Sequence, residues 1–260
     1  VTVPINEIVC GDCLDVMRGR GGCSMGRQVI AFSGGKDSTA LALRWSELGR
    51  PAELLHTSTG NEPPDVAPHV QQIAAMTGYR LHVIQAGIAE AGGDHLIAGI
   101  RRKHMIPTKR FRWCTSVLKY EPLKRWFREH GDGVTILSGL RADEPCRTGF
   151  RSMPICYPLR EWGWGIAEVM MYLEARHVTI PRQTNCMLCP LQSRRSWRWL
   201  YETHPEMYAT GEQIEAEINF TFLRPEYGRE TCTLREQRYT FETGVPYAER
   251  RAGQGGLFDG

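Results

Sequence analysis

The 260-residue sequence contains no run near the ~18 consecutive apolar residues that a membrane-crossing helix needs. Its first thirty residues are too polar and glycine-rich for an export signal, so a cytoplasmic protein that uses no membrane is expected. No internal repeat and no low-complexity run is present, which leaves the order of strands and helices to carry the organisation. A strong charge excess is missing too. Thirty-two Lys and Arg face 29 Asp and Glu, and a net +3 does not by itself demand a nucleic-acid partner. Nine cysteines, an odd number without an export signal, argue for thiols or metal ligands over a disulfide framework. With 42% hydrophobic and 23% charged residues the chain has the composition of a folded globular protein, long enough for one large domain with an appended lobe.

What is present reads as alternating strands and helices. Short apolar stretches predict strands over 27–32, 52–56, 80–84 and 134–137, and amphipathic stretches predict helices over 39–48, 65–77 and 119–130. Such alternation predicts an α/β fold with a mostly parallel twisted sheet and helices on both faces, its ligands gathering at the carboxyl ends of the strands. From Pro154 onward the pattern turns helical, over 165–176, 194–203 and 205–218, which predicts a smaller helical C-terminal lobe. The expected division is an N-terminal extension (1–26), a nucleotide-binding domain (27–150), a cysteine-containing helical lobe (151–243) and a surface or disordered tail (244–260).

Ser33-Gly34-Gly35-Lys36-Asp37-Ser38 follows the first strand and leads into the first helix. Paired glycines let backbone N–H groups approach phosphate oxygens, the helix N-terminus adds partial positive charge, and Ser33, Ser38 and Thr39 add hydroxyl donors. Lys36 adds a full charge, while Asp37 is placed either to assist a Mg2+ ion or to cap the helix. The segment is not a Walker A loop, because Ile30 stands at the first glycine position and Asp37 follows the lysine. A plain glycine turn is the competing account.

These six residues resemble the Ser-Gly-Gly-x-Asp-Ser signature of PP-loop ATP pyrophosphatases and sulfonucleotide reductases. The sequence is similar to the phosphoadenosine-phosphosulfate (PAPS) reductase branch and its relatives, the DNA phosphorothioation sulfurtransferases, over roughly 27–208. His56-Thr57-Ser58-Thr59-Gly60-Asn61-Glu62 resembles the Asp-Thr-Gly loop of that branch, with His56 and Thr59 departing from the usual residues. Gly139-Leu140-Arg141-Ala142-Asp143-Glu144 resembles its Gly-x-Arg-x-x-Glu stretch, and Pro158-Leu159-x-x-Trp162 and Ile180-Pro181 also fit. The resemblance implies an adenine nucleotide α-hydrolase-like fold that binds ATP, or PAPS or its 3′-unphosphorylated counterpart APS. It implies nucleotide contacts at Ser33 to Thr39, Thr59, Gly60, Gly139 and Arg141. It gives catalytic roles to Lys36, Asp37, Lys119 and Arg141, although a lone Arg or Lys is often a surface charge.

Cys186-Met187-Leu188-Cys189-Pro190 is a C-x-x-C, and Cys114 stands far upstream in Arg112-Trp113-Cys114-Thr115. Thiolates two residues apart can face one metal, and a distant third can close the site. The fourth ligand is Cys156, Cys146 or none. The pattern resembles the iron-sulfur sites of PP-loop thiolation and DNA phosphorothioation enzymes, implying a 4Fe-4S cluster with zinc as the alternative. Buried unliganded thiols are the competing account. Cluster-bearing APS reductases carry two adjacent upstream cysteines, where this chain has Trp113-Cys114. Cys232 compares poorly with the Glu-Cys-Gly-Leu-His tail of true sulfonucleotide reductases, and a structural cysteine is expected there.

Three functions follow as expectations. The first is adenylation of an acceptor with release of pyrophosphate, then sulfur transfer through the cysteine-bound cluster, with DNA or RNA as acceptor and a sulfur donor protein as partner. The second is a thiol-dependent reductase that uses a thioredoxin-type reductant and releases sulfite. The third is a non-catalytic nucleotide- or nucleic-acid-binding subunit, and a homodimer is compatible with each. Basic residues interleaved with rings at 101–104, 109–113 and 194–199 suit phosphates and stacked bases, or else form solvated helix faces. The opening Asn6 to Met17 resembles that of DNA amino-methyltransferases. No Asp-Pro-Pro-Tyr follows, and neither that likeness nor the Cys10/Cys13 pair is given a role. His56, His69, His82 and His95 recur evenly but are expected alternately on strands and helices, sharing no face.

Overall fold

Apolar strands too short to span more than a few residues can be buried on both faces only if helices return the chain after each one, which makes them parallel. A computed structural model of the chain, describing residues 26–88, 92–148, 154–223 and 232–245, has this build. In chain order come β1 (Gln28–Ala31), α1 (Lys36–Glu47), β2 (Glu53–Thr57), α2 (Val66–Thr77), β3 (Arg80–Ile84) and α3 (His95–Lys103). A π-helical segment (Thr115–Tyr120) then runs into α4 (Glu121–His130), followed by β4 (Thr135–Leu137), β5 (Ile155–Cys156), α5 (Pro158–Glu161) and α6 (Ile166–Glu174). The last are α7 (Arg194–Thr203), α8 (Pro205–Ile218) and α9 (Leu234–Thr243). The methyltransferase-like opening, Cys10, Cys13 and the tail past residue 245 lie outside the described residues.

All strand pairs are parallel, in the order β3-β2-β1-β4-β5. Ile30 stands beside Leu54 on one side and Leu137 on the other. The chain works outward from β1 to β3, then crosses back to lay β4 on the other flank of β1. The carboxyl ends of β1 and β4 therefore border the point where the strand order reverses, where α/β sheets collect ligands.

The side-chain alternation assigns the two faces. Ile30, Leu54 and Leu137 bury against α1, α2 and α6 in one core. Val29 and Leu55 bury with Leu123 and Trp126 of α4 in another. Helices thus cover both faces, as the sequence predicts.

Several boundaries differ from expectation. The first helix begins at Lys36, not Thr39, because Gly35 takes the N-cap position in an extended conformation (φ −83°, ψ 167°). The helix expected from Lys119 is preceded by the π-helical segment from Thr115. Where a helical pattern was expected after Pro154, β5 adds a two-residue edge strand, too short to show a period. Helix α3 is anticipated only by the placing of His95 on a helix, and the short α5 and the C-terminal α9 have no counterpart in the sequence pattern.

The chain forms two compact units. The first takes residues up to Thr57, Pro64–Ile84 and Pro122–Thr184, so it holds the whole sheet. The second takes Ser58–Pro63, Gln85–Glu121 and the described residues from Asn185 onward. The division thus falls elsewhere than the expected border between residues 150 and 151, because β5 joins the sheet and α6 packs in its core. The second unit has its own core, in which Leu96, Ile100 and Trp113 pack with Leu188, Trp197, Tyr208 and Phe222. No helix among the described residues is long and apolar enough to cross a membrane.

Candidate functional site: an anion loop and a thiol cluster

In the first unit, the chain leaves β1 at Phe32 and turns through Ser33-Gly34-Gly35 into α1. Gly34 has φ +75°, a left-handed conformation that a side chain would strain, and a Cβ there would also press on Val70 at 3.1 Å. Gly35 N–H donates to Ser33 Oγ (3.3 Å), Ser38 Oγ donates to the Gly35 carbonyl (3.0 Å), and Thr39 N–H starts the helical ladder on the same carbonyl (2.9 Å). No side chain caps the helix. Its first-turn N–H groups, from Lys36 to Ser38, thus have no intrahelical acceptor and suit an anion.

Two buried histidines fix this loop from behind. His56 Nδ1 donates to the Phe32 carbonyl at 2.9 Å, and His69 Nε2 pairs with Thr39 Oγ1 at 3.0 Å. Burial lowers the His69 pKa against the pull of Asp65, which favours the neutral form of the ring. The recurring histidines do lie on β2, α2, β3 and α3 in turn, but sequence reasoning missed that two of them serve one loop. It missed Thr184 as well, whose hydroxyl lies 3.2 Å from where a Gly35 side chain would begin.

The loop after β4 closes on the first turn of α1. A Cβ on Gly139 would stand 3.1 Å from Ser38 N and 3.2 Å from Asp37 C, so only glycine permits this approach without displacement. Arg141 Nη1 donates to both carboxylate oxygens of Asp37 (3.1 and 3.0 Å), and its Nε donates to Asp143 Oδ1 at 2.8 Å. Glu144 Oε2 lies 3.9 Å from the same guanidinium. Asp37 is therefore tied to Arg141 and does not cap the helix, and Lys36 Nζ sits 3.9 Å from Asp37 Oδ2 with its side chain 40% exposed. Ser33 to Thr39, Gly139 and Arg141 are all gathered here.

Lys119, Thr59 and Gly60 belong to the second unit, with Cys114, Cys186 and Cys189. Glu62 organises its loop by accepting from Thr59 N–H (2.8 Å), Thr59 Oγ1 (2.7 Å), Ser58 Oγ (3.0 Å) and Gly60 N–H (3.1 Å). Burial pushes the Glu62 pKa up, but the hydrogen bonds from Thr59 and Ser58 outweigh it and hold the carboxyl below its ordinary value. Gly60 (φ +75°) has no alternative, since a Cβ would lie 1.6 Å from the Gly93 carbonyl oxygen. Asn61 ties this loop to the C-x-x-C turn: its Oδ1 accepts from Leu188 N–H (2.9 Å), its carbonyl accepts from Met187 N–H (2.7 Å), and its Nδ2 donates to Asp94 (2.6 Å). Asn61 and Glu62 lay inside the motif read from sequence, but their neighbours in space could not be read there.

Thr59 Oγ1 lies 3.1 Å from Cys186 Sγ. Burial pushes the Cys186 thiol up to about 12 and raises that of Cys114. Cys189 adds to both shifts and Lys119 opposes both, so the three cysteines and the lysine share one electrostatic neighbourhood. Three soft sulfur donors fit zinc or an iron-sulfur cluster in kind. As they stand, no group of three or more Cys, His, Asp or Glu among the described residues is arranged to hold a metal ion. Cys156 is on β5, and the exposed Cys146 lies between β4 and β5; both belong to the first unit. Cys232 is 4% exposed, with Sγ 3.9 Å from Gln237 Oε1.

A parallel sheet with a glycine loop at its topological switch point, closed by a second glycine loop from the neighbouring strand, defines an α/β protein of PP-loop type. Residues 27–180 match the family model of the phosphoadenosine phosphosulfate reductase domain, and the chain belongs to that family. Among curated proteins it is similar to two uncharacterized proteins of Methanocaldococcus jannaschii. MJ0973 is 27% identical over 193 residues, which cover 68% of this chain and 45% of the relative. MJ0066 is 23% identical over 204 residues, covering 72% and 41%. The chain thus spans less than half the length of these relatives. Among solved structures it is similar to a PAPS reductase from Candida auris in a phosphate complex, with TM-score 0.48, 20% identity, and coverage of 69% of this chain and 90% of that one. A predicted subunit of tRNA methyltransferase from Methanocaldococcus jannaschii gives TM-score 0.39 and 17% identity, covering 80% and 97%.

Proposed function

We propose that the chain is an enzyme that binds ATP at the Ser33–Thr39 loop, adenylates an acceptor and delivers sulfur to it through the Cys114, Cys186 and Cys189 thiols. The observation that carries this reading is the loop itself: unpaired first-turn amides, a left-handed Gly34, and Gly139 and Arg141 brought against them. Membership of the PAPS reductase family supports the same nucleotide class, with PAPS or APS as the alternative ligand.

In the first step an acceptor oxygen attacks the α-phosphorus of ATP, and the bond to the pyrophosphate oxygen breaks. The α1 amides and Lys36 stabilise the charge that gathers on the leaving pyrophosphate, and Mg2+, when bound with the nucleotide, would neutralise the rest. Arg141 holds Asp37 in place and can exchange that carboxylate for phosphate. Sulfur at the sulfide level, brought by a donor protein, then displaces AMP from the adenylated acceptor without net oxidation or reduction. A 4Fe-4S cluster or zinc held by Cys114, Cys186 and Cys189 would supply a Lewis-acidic site for that sulfur. Lys119 would keep the thiols able to ionise as they take up the metal, which opposes the effect of their burial.

The decisive experiment incubates the anaerobically purified protein with ATP and Mg2+ and measures pyrophosphate, beside iron, sulfide and zinc content. Nucleotide binding lost in Lys36→Ala, and metal lost in Cys186→Ser, are the expected results. The competing reductase would instead release sulfite from PAPS as two electrons pass from a thioredoxin-type dithiol, and that release would vanish in Cys232→Ser. The burial of Cys232 disfavours it as the attacking thiolate. Binding without turnover of either nucleotide would point to a non-catalytic subunit.

A further inference from the structure

Residues 95–120 contain seven Lys or Arg and no Asp or Glu, so the remainder of a chain with net charge +3 is negative. The cations are concentrated at the end of α3 and in the turn that follows. Arg102, Lys109, Arg110 and Arg112 are exposed. None of these four has a carboxylate partner among the described residues, whereas Arg101 is bound to Glu217 at 2.9 Å.

The turn is held from both stems. Ile106 and Pro107 are buried on one side, and Trp113, 4% exposed, is buried on the other. Trp113 donates from Nε1 to the Met105 carbonyl (3.2 Å), packs where a Gly99 side chain would begin (2.8 Å), and lies under Lys103 Nζ at 5.6 Å. Between the stems, Thr108 N–H donates to the Phe111 carbonyl (3.1 Å) and Phe111 N–H donates to Thr108 Oγ1 (2.9 Å). This narrow turn puts Lys109 and Arg110 at its tip and leaves Phe111 56% exposed between them and Arg112. A large ring held in water by an anchored turn, flanked by cations that have no carboxylate partner among the described residues, is not explained by core packing.

We propose that this turn, with the last turn of α3, is a binding surface for single-stranded nucleic acid. Phe111 stacks on an unpaired base while Arg102, Lys109, Arg110 and Arg112 contact the phosphates on either side. Planar guanidinium groups beside a planar ring suit alternating phosphates and bases, since every base offers a π-face and every linkage a charge. A duplex would offer phosphates but no open base to the ring. An anionic bilayer would reward several aliphatic side chains, and the tip has one ring. The surface lies wholly within the second unit and is independent of the nucleotide loop.

The test is fluorescence anisotropy of the full chain with a labelled oligothymidylate or oligouridylate of about 12 nucleotides, compared with a duplex and with anionic phospholipid vesicles. Phe111→Leu is expected to weaken single-strand binding by about 5- to 100-fold, and Phe111→Tyr to restore it. Replacing Lys109, Arg110 and Arg112 together by Ala is expected to flatten the dependence of log affinity on log salt by about 2. Lys36→Ala should bind the oligonucleotide as wild type does, and the turn variants should bind ATP normally, so failure of one reading is told from failure of the other. Equal binding by Phe111→Leu and wild type, tighter binding to duplex or vesicles than to either single strand, or an unchanged salt slope would each overturn the proposal. The two oligonucleotides decide whether the strand is DNA or RNA.

Discussion

Arg141 carries more of the nucleotide loop than its single position in the motif suggests. One guanidinium bridges Asp37 on α1 and Asp143 on its own loop, a two-sided grip that depends on its planar fork. A lysine would reach one carboxylate at a time. Arg141→Lys is therefore expected to lower nucleotide affinity about tenfold or more while leaving the circular dichroism spectrum unchanged, and calorimetric titration with ATP measures it. Gly139 is the complementary case. Its missing side chain leaves room for α1 backbone at 3.1 to 3.3 Å, and backbone cannot swing aside as a flexible side chain can. Gly139→Ala should cost about 1 to 3 kcal/mol in a urea unfolding experiment and, under the proposed function, should weaken ATP binding as well, because the displaced atoms include the Ser38 amide that is proposed to meet the phosphates. The sequence motif named both residues. It could not show that their common target is the first turn of α1.

At the scale of elements, strong local signals were legible and weak ones were not. Helices α2, α7 and α8 stand within a residue of where their periodicity, caps and prolines put them, because amphipathic spacing and capping act locally. Gly78, at φ +70°, ends α2 as expected. Strand β5 and the π-helical segment were illegible, since an edge strand of two residues exists only through its pairing with β4 and a π turn has no distinct composition. Helix α9 depends on a similar long-range tie. Buried Glu215 of α8 accepts from Phe222 N–H (2.7 Å) and Leu234 N–H (2.6 Å), fixing the start of α9. Burial raises its pKa from 4.5 to about 7, so the protonated form is the one favoured by folding. The stability that this contributes is full below pH about 4.5 and is lost as pH rises to about 7, by about 3 kcal/mol at most. Over that interval the unfolding midpoint of wild type should fall relative to Glu215→Gln, which has no proton to lose. Parallel midpoints would refute the assignment.

For the whole molecule, the two units interleave along the chain, so neither is a contiguous segment. A fragment ending at Thr184 keeps the sheet and both of its cores but removes Leu188, Trp197, Leu200, Tyr208, Ile214, Phe222 and Leu234 from the core of the second unit. Hydrogen exchange of this fragment should show protection retained in β1, β2 and β4 and lost across 95–120; protection persisting in α3 would mean that the second unit does not depend on its C-terminal part. The sequence by itself determined the α/β class, the glycine loop, its family and the cysteine spacing, because each of these is written in neighbouring residues whose backbone preferences and periodicity act over a few positions. Only the tertiary structure decided that β4 lies beside β1, that His56 holds the chain where it leaves β1 while His69 and Gly139 bear on the first turn of α1, and that Lys119 and Thr59 stand with Cys186. Those pairings join residues far apart along the chain, and burying side chains together, not local propensity, selects them.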